Sequence, residues 1–169
     1  MVPCWLFSQD CTNGSVEFLN CQISSDSDVC VRLHGSASSV FTTCAIIDGG
    51  GVGVLIQDQA CPVLTENDIC NMKESCVEVL GSGANPTLDG NHIHDAQHHG
   101  LWLHEFCQGV YRHNKVYGNE KHGFLCATSA TPALERNSVY ANFDAGIQCV
   151  DGAKGVLRAN DVFSNKGDG

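Results

Sequence analysis

Seven of the chain's histidines crowd one stretch of the sequence, and histidine is both the commonest metal ligand and a frequent acid–base group. They are His92, His94, His98, His99, His104, His113 and His122. His99 and His122 lie one 23-residue repeat of the chain apart, and His98 precedes the first of them. Two imidazoles can share a zinc ion, but no third ligand follows at a fixed spacing, and structural zinc normally has four ligands. We therefore expect a solvated ladder of turn residues here, with no metal and no cofactor.

Acidic residues offer a second kind of chemistry, the cleavage of glycans. Hydrolysis of a glycosidic bond needs two carboxyl groups that face one groove, and a lyase needs calcium and a basic proton acceptor. Asp48, Asp95 and Asp144 fall in or near turns of repeats that are not neighbours. Other charges alternate in sign along successive repeats, as an exposed ladder of Arg112, Glu135 and Arg158. No paired carboxylates emerge, so we predict no catalytic residue.

These side chains are positioned by a 23-residue repeat that is interrupted once by a single additional residue. Seven copies begin at Val16, Ser39, Pro62, Pro86, Gly109, Pro132 and Gly155. The third place of each copy is apolar or aromatic: Phe18, Phe41, Leu64, Leu88, Tyr111, Leu134 and Leu157. The eighth place is β-branched: Ile23, Ile46, Ile69, Ile93, Val116, Val139 and Val162. A period of this length indicates a solenoid whose units bury their apolar faces against their neighbours.

Each copy contains alternating triplets such as Val31-Arg32-Leu33, which is the period-2 pattern of β-strands. Turns rich in Gly, Asn, Asp and Ser separate them, and no copy has room for two helices. We therefore predict an all-β fold, a right-handed single-stranded parallel β-helix with about seven coils of 23 residues. Residues 1–15 are expected to form an N-terminal cap or a partial coil. Residues 16–169 are expected to form the coils, and because the last stops at Gly169 and is incomplete, we expect a fragment or a short isoform.

The sixth place of the repeat predicts a polar ladder inside the solenoid, in which side-chain amides bond from coil to coil as in cross-β assemblies. Its members are Asn67, Asn91, Asn114, Asn137 and Asn160. Cys21 and Cys44 occupy the same place in the first two copies and are expected to fill it as small apolar groups. The fifteenth place is glycine except for Cys30 and Cys76. We predict a structural role for the asparagines.

Composition restricts the partners and the compartment. The formal net charge is −10 with only nine Lys and Arg, which argues against binding to nucleic acid. No apolar run is long enough to cross a membrane, and we expect no signal peptide in the opening residues. Eleven cysteines form an odd number whose spacing follows the repeat. We interpret them as reduced core residues of a protein in the cytoplasm or the nucleus.

The outward residue of the alternating triplet offers a candidate binding surface. In successive copies it reads Arg32, Leu55, Glu78, Trp102, Leu125 and Gln148. Trp102 and Leu125 are neighbours in this column, and with Leu55 they are our predicted partner-binding residues. Phe106 and Tyr117 are candidates to extend the same patch. The alternative is that the apolar side chains pack under a neighbouring loop or a further segment.

The starts of the later copies carry a resemblance to a known family. Copies that open with Asn85-Pro86 or Thr131-Pro132 alternate with copies that open with Gly109-Val110 or Gly155-Val156. This pattern resembles the β-helix repeats of the F-box-only protein 10 and 11 family over roughly residues 16 to 169. The resemblance implies a pectin-lyase-like solenoid that presents protein substrates for ubiquitination. It also implies Skp1 and cullin as partners, but only through an F-box, for which the first fifteen residues are too short.

We therefore predict a noncatalytic protein-interaction module that binds neither nucleic acid nor membrane. A carbohydrate-active enzyme or a glycan-binding protein on the same scaffold is the alternative from another class. A purely architectural spacer is a third possibility. A groove with two carboxylates or a stacked aromatic platform would favour the carbohydrate alternative.

Overall fold

The structure, a computed structural model, describes residues 4–167, and their side chains from Leu6 onward. Every regular element in these residues is a β-strand, and neighbouring strands pair in parallel. Gly169, at which the sequence ends its last coil, lies outside the described residues, as do the first three residues. The chain forms a right-handed parallel β-helix of about seven coils, which confirms the predicted fold class.

The coils stack into three parallel sheets, which we call A, B and C. Sheet A contains β1 (Cys4–Phe7), β4 (Cys21–Ser25), β7 (Ala45–Gly49), β10 (Asp68–Met72), β13 (His92–His94), β16 (Lys115–Tyr117), β19 (Ser138–Tyr140) and β22 (Asp161–Phe163). Sheet B contains β2 (Gln9–Thr12), β5 (Val31–His34), β8 (Val54–Ile56), β11 (Val77–Leu80), β14 (Leu101–His104), β17 (Phe124–Cys126) and β20 (Ile147–Cys149). Sheet C contains β3 (Glu17–Leu19), β6 (Val40–Thr42), β9 (Val63–Thr65), β12 (Thr87–Asp89), β15 (Val110–Arg112), β18 (Ala133–Glu135) and β21 (Val156–Arg158). Each full coil visits sheet C, then A, then B.

The strand register follows the 23-residue repeat. The third-place residues pair with one another along sheet C, and the eighth-place residues pair along sheet A. Leu88 and Ile93, for example, are completely buried, because successive inward side chains pack on those of the coils above and below. The same burial runs from Cys11 to Val139 and forms one continuous narrow core.

The two ends of the described chain differ from the middle. In the segment expected to be a cap or a partial coil, β1 pairs with β4 and β2 pairs with β5, so this segment contributes one strand to sheet A and one to sheet B. At the other end, Leu157 occupies the inward third place but is 48% exposed, because no described strand covers it.

Both corners that flank sheet A turn on one residue with a left-handed backbone. At the corner from sheet C to sheet A, the C–A corner, this is the fifth place, with φ between 51° and 70°: Asn20, Thr43, Glu66, Gly90, His113, Arg136 and Ala159. At the corner from sheet A to sheet B, the A–B corner, it is the tenth place, with φ between 54° and 68°: Asp48, Asn71, Asp95, Gly118, Ala141 and Ser164. This conformation costs a residue with a Cβ atom roughly 1–2 kcal/mol, so the corners need compensating interactions.

At the C–A corner the compensation comes from the sixth-place ladder. Asn114 is completely buried, and its Nδ2 donates to the Leu88 carbonyl and to Asn137 Oδ1, both at 3.0 Å. Its own Oδ1 accepts from the backbone N of Asn91 at 2.9 Å and from Asn91 Nδ2 at 3.0 Å. The same amide-to-carbonyl bond recurs at the other predicted positions, Asn67, Asn91, Asn137 and Asn160. The ladder therefore ties each corner to the two coils beside it.

Cys44 extends this ladder by hydrogen bonding and not only as an apolar filler. Its buried thiol donates to the carbonyl of Phe18 at 3.4 Å, which is the bond that Asn67 makes to Phe41 one coil later. The expectation of a purely apolar group at this place is therefore wrong for Cys44.

A second asparagine ladder, which the sequence analysis missed, lies at the A–B corner. It occupies the eleventh place in the last three copies, as Asn119, Asn142 and Asn165. Asn119 Nδ2 donates to Asn142 Oδ1, and Asn142 Nδ2 donates to Asn165 Oδ1, both at 2.9 Å. The signal in the sequence was the 23-residue spacing of these three asparagines.

The cysteines from Cys30 to Cys149 are all free. Most are buried, but Cys61 and Cys149 are exposed, so the interpretation of the cysteines as core residues is wrong for these two. Cys70 also leaves the core, because it follows the inward Ile69 on β10 and therefore points outward. Separately, no helix in the described part of the chain could span a membrane.

Candidate functional site

The predicted binding surface lies on the outward face of sheet B. Trp102 pairs directly with Leu125, as the repeat predicted, and both side chains are half-buried. Leu55 lies two coils from Trp102, and Glu78 stands between them. Gln148 follows Leu125 on the other side. The structure thus brings Trp102 and Leu125 together, whereas a charged residue separates Leu55 from them.

The Trp102 side chain is held by aromatic and charged neighbours. Its indole stacks on the His104 imidazole with 4.3 Å between ring centroids and 22° between planes. His104 Nε2 in turn lies 3.0 Å from Glu78 Oε1. Because this hydrogen bond and the stacking fix the indole, Trp102 presents a rigid apolar surface beside a polar one.

In the ladder of His99 and His122, His122 is buried and His99 is half-buried, which corrects the expectation of a solvated turn. The two rings stack at 5.2 Å with 6° between planes, and the Nδ1 atoms of both are buried without a hydrogen-bond partner. Burial, reinforced by the neighbouring His122, His98 and Lys121, lowers the pKa of His99 to about 4. His99 also contacts Trp102 at 6.1 Å between ring centroids, which joins this ladder to the sheet B surface.

Sheet A carries an outward aromatic ladder that the sequence analysis missed. It occupies the ninth place of successive copies, as His94, Tyr117, Tyr140 and Phe163. The neighbouring rings stack with centroid distances of 4.6, 5.1 and 5.1 Å and interplanar angles of 7°, 7° and 11°. Tyr117 therefore lies on a different face from Trp102, and Phe106 lies in the turn that follows β14, so neither joins the sheet B column.

This ladder differs from a sugar-binding platform in the direction of its ring faces. A sugar packs its CH groups on the open face of an aromatic ring. The faces of Tyr117 and Tyr140 are covered by the rings of the adjacent coils, so only their edges reach solvent. The stacking therefore stabilises sheet A and orients the His94 ring at its end.

A compact cluster of ionisable groups lies at that end of the ladder. His94 Nε2 is 2.9 Å from Asp68 Oδ1, and His94 Nδ1 is 2.7 Å from Asp95 Oδ2. Ligand atoms of Asp68, Cys70 and His94 all lie within 4.8 Å of one another. Burial, and next the charges of Asp68, Asp48 and Asp95, raises the pKa of the Cys70 thiol to about 12. This group was not predicted; its signal in the sequence was Asp68 and Cys70 at the seventh and ninth places of one copy, followed by His94 at the ninth place of the next.

An acidic groove of about 430 Å³ runs along the A–B corner beside this cluster. Asp48 and Asp95 both line it, with Asn71 from the intervening coil between them, and Asn71 Nδ2 donates to Asp48 Oδ1 at 3.1 Å. Lys73 lines the same groove. Repeats that are not neighbours in sequence therefore place two carboxylates along one groove. Asp144 lies apart, next to His122.

The predicted charge ladder lies on sheet C. Arg112 Nε is 2.9 Å from Asp89 Oδ2, and Arg158 Nη1 is 3.5 Å from Glu135 Oε1. Partial burial acts to raise the pKa of Asp89, but the hydrogen bonds and charges of His113 and Arg112 together outweigh it, so the pKa is lowered. Both arginine side chains are largely exposed, so these pairs contribute little to stability.

Three parallel sheets, two inward asparagine ladders and one turn of 23 residues per coil define a β-solenoid repeat protein. A family model described as a right-handed beta helix region matches residues 8–169. The chain therefore belongs to the right-handed β-helix family. Comparison with curated proteins and with solved structures gave no match.

Proposed function

We propose that this chain is a noncatalytic protein-interaction module, the substrate-recognition β-helix of an SCF-type ubiquitin ligase receptor, with its binding surface around Trp102. The observation that carries the proposal is the fixed, half-buried indole of Trp102 beside Leu125 on sheet B. Tryptophan is enriched among the few interface residues that contribute most of the binding free energy. A side chain that is already ordered loses little further entropy when a partner binds.

The surroundings of Trp102 support a protein partner over other ligands. The apolar Leu125 lies on one side of the indole, while Glu78 with His104 provides a polar edge on the other. An apolar centre with a polar rim is the arrangement of protein interfaces. The net charge of −10 disfavours nucleic acid and anionic membrane surfaces.

In this proposal the β-helix binds protein substrates for ubiquitination in the cytoplasm or the nucleus. Ubiquitin transfer belongs to partner enzymes, and contact with Skp1 and cullin requires an F-box elsewhere in the full-length protein. The resemblance of the repeat starts to the F-box-only protein 10 and 11 family supports this assignment, as does membership of the right-handed β-helix family.

The test is affinity capture from cell lysate with quantitative mass spectrometry, comparing the chain with its Trp102→Ala/Leu125→Ala variant. Proteins bound through this surface should be reduced by roughly tenfold or more with the variant, as expected when a central anchor is removed. The same proteins should become ubiquitinated when the chain is fused to an F-box. The variant should keep its circular dichroism and lose only about 2–4 °C in melting temperature.

Tyr140→Ala is the matched control, because it removes a half-buried aromatic side chain from sheet A. It should leave capture unchanged. Loss of capture with Tyr140→Ala alone would move the binding surface to sheet A. Capture that neither variant alters, or a double variant that unfolds, would contradict the role of Trp102 as a binding residue.

The acidic groove favours a second candidate, a carbohydrate-active enzyme or glycan-binding protein. Asp48 and Asp95 line one groove, and a carboxylate pair is the usual equipment for glycosidic cleavage. Incubation with a panel of acidic and neutral polysaccharides, followed by measurement of new reducing ends and of bound glycan, tests this candidate. Product formation that Asp48→Asn abolishes would establish it in place of the noncatalytic module.

A further inference from the structure

Asp68, Cys70 and His94 bring three different ligand types to one point on the outward face of sheet A. Asp68 and Cys70 come from β10, and His94 comes from the adjacent β13. We propose that these residues bind Zn²⁺ through Asp68 Oδ1, Cys70 Sγ and His94 Nε2, with water at the fourth position. Three protein ligands and one open position are typical of zinc sites that remain accessible to solvent. The site lies on another sheet from Trp102, so it is independent of the proposed function.

The geometry of the three atoms suits a tetrahedral ion. Zinc–ligand bonds of about 2.0–2.3 Å place tetrahedral ligands roughly 3.5 Å apart. The three ligand atoms lie within 4.8 Å of one another, and His94 Nε2 is 2.9 Å from Asp68 Oδ1. Small rotations of the Asp68 and His94 side chains therefore make room for the ion without a change in the backbone.

Both nitrogens of His94 face carboxylate oxygens, an arrangement that suits a cation bound at one of them. A neutral imidazole has one N–H donor, so it can satisfy either Asp95 at Nδ1 or Asp68 at Nε2 but not both. If Nδ1–H donates to Asp95, Nε2 presents a lone pair toward Asp68. A zinc ion between Nε2 and Asp68 removes this repulsion. Asp95 then plays the part of the carboxylate that orients a metal-bound histidine.

The thiol of Cys70 is an available soft ligand. It is 7% exposed, and no hydrogen-bond partner for it occurs among residues 6–167. By contrast, the buried thiols of Cys44 and Cys76 donate to backbone carbonyls. An outward, buried and unbonded thiol next to imidazole and carboxylate is the combination that zinc binds well.

The aromatic ladder holds the site in place. Tyr117 stacks on the His94 ring at 4.6 Å with 7° between planes, which fixes the ring plane from one side. The hydrogen bond between His94 Nδ1 and Asp95 fixes the orientation of the ring within that plane. Because the ligating ring is ordered before the ion binds, little entropy is lost on binding.

Isothermal titration of the chelator-treated chain with Zn²⁺ tests the proposal. We expect one equivalent of tight binding, weakened about 100-fold or more by Cys70→Ser and by His94→Gln. Asp95→Asn, which alters only the orienting carboxylate, should weaken binding about 10–100-fold. Cys61→Ser and His98→Gln are matched controls, since both residues are exposed and lie outside the cluster, and neither should change the affinity.

Co²⁺ provides a spectroscopic readout that the wild-type chain gives on its own. The wild-type chain with Co²⁺ should show a thiolate-to-cobalt charge-transfer band and the visible absorption of a four-coordinate ion, and Cys70→Ser should remove the former. Zn²⁺ should also raise the melting temperature of the wild-type chain. Three outcomes would each overturn the proposal: no binding at micromolar free Zn²⁺, a cobalt spectrum without a thiolate band, or the same affinity for Zn²⁺ in Cys61→Ser and in Cys70→Ser.

Discussion

The C–A corner and the A–B corner flank the same sheet and turn in the same way, yet they are filled by different residues. Each has one left-handed residue followed by one inward residue. At the C–A corner the inward place holds asparagine in five successive copies. At the A–B corner it reads Gly49, Met72, Ala96, Asn119, Asn142 and Asn165. One backbone turn therefore accepts either a continuous polar ladder or a mixed filling.

At the A–B corner, the residue at the fifteenth place of one copy limits the size of the residue at the eleventh place of the next copy. A Cβ atom added to Gly53 would lie 3.0 Å from Met72 Cε, and one added to Gly123 would lie 2.9 Å from Asn142 Nδ2. Glycine thus accompanies a large eleventh-place residue in the next copy. Cysteine replaces glycine only at Cys30 and Cys76, where the next copy offers Gly49 and Ala96.

Removing one amide from the continuous asparagine ladder should have the largest effect on stability. Asn114→Ala removes one amide and leaves four buried partners short of a hydrogen bond, namely the N and Nδ2 of Asn91, the Leu88 carbonyl and Asn137 Oδ1. Each unsatisfied buried group costs on the order of 1 kcal/mol, so we expect the free energy of unfolding to fall by roughly 3–5 kcal/mol. Urea denaturation followed by circular dichroism measures the loss.

The end of the same ladder supplies the control. Asn160 is only half-buried, and water can reach the groups it leaves behind. Asn160→Ala should therefore cost less than half as much as Asn114→Ala. Equal losses at the two positions would mean that burial of the ladder does not set its contribution.

Adding a side chain at the fifteenth-place glycine beside the A–B corner should have the next largest effect on stability. A Cβ atom in Gly123→Ala would lie 2.5 Å from Val139 Cγ1 and 2.6 Å from the Gly146 carbonyl, closer than real contacts allow. Overpacking of this kind costs roughly 1–3 kcal/mol. Thermal denaturation of Gly123→Ala should show that loss.

Gly14→Ala is the comparison for this prediction, since its nearest neighbour, the Thr12 carbonyl, is 3.7 Å from the added atom. Gly14→Ala should be neutral or slightly stabilising, because alanine restricts the unfolded chain. If both variants lost the same stability, the cause would be the glycine backbone and not the packing against the next coil.

The contrast between the corners also explains what the sequence could and could not predict. The sixth-place ladder was predictable, because five consecutive copies carry asparagine there. The eleventh-place ladder was missed, because three copies carry Gly, Met or Ala at that place. Left-handed residues such as Thr43, Glu66 and Arg136 have no sequence signature, since tertiary hydrogen bonds impose their conformation on them.

Outward side chains were harder to predict than inward ones. The pairing of Trp102 with Leu125 followed directly from the repeat. The neighbours that hold Trp102, and the Asp68, Cys70 and His94 cluster, depend on side-chain directions across two coils. A 23-residue alignment fixes which residues are adjacent, but it does not fix whether their side chains meet.

Cys44 tests whether a thiol and an amide are interchangeable at the C–A corner. Its Sγ–H donates to the Phe18 carbonyl, as the asparagines do to the corresponding carbonyls. Cys44→Ala should lower the free energy of unfolding by about 1 kcal/mol, the usual contribution of one hydrogen bond. Cys44→Asn should restore or exceed the wild-type value in the same urea titration. Lower stability for Cys44→Asn than for Cys44→Ala would show that the first coils cannot accommodate the ladder.

The two corners are also distinguished by how their stability responds to pH. At the A–B corner, burial and then His122, His98 and Lys121 lower the pKa of His99 from 6.5 to about 4, while Asp144 opposes them. Between these two values the unfolded chain binds a proton that the folded chain does not. Folding stability must therefore fall as the pH falls from about 6.5 to about 4, because the unfolded state binds more protons.

The melting temperature measured from pH 7 to pH 4.5 should show this slope in the wild-type chain and a shallower slope in His99→Gln. Comparing slopes removes the direct effect of the substitution on packing against Trp102. His92→Gln, which changes an exposed histidine on sheet A, should keep the wild-type slope. A His99→Gln slope as steep as that of the wild type would assign the acid sensitivity to the carboxylates elsewhere. A shallower one would show that the A–B corner, unlike the C–A corner with its asparagine ladder, contains a partly buried group whose protonation opposes folding.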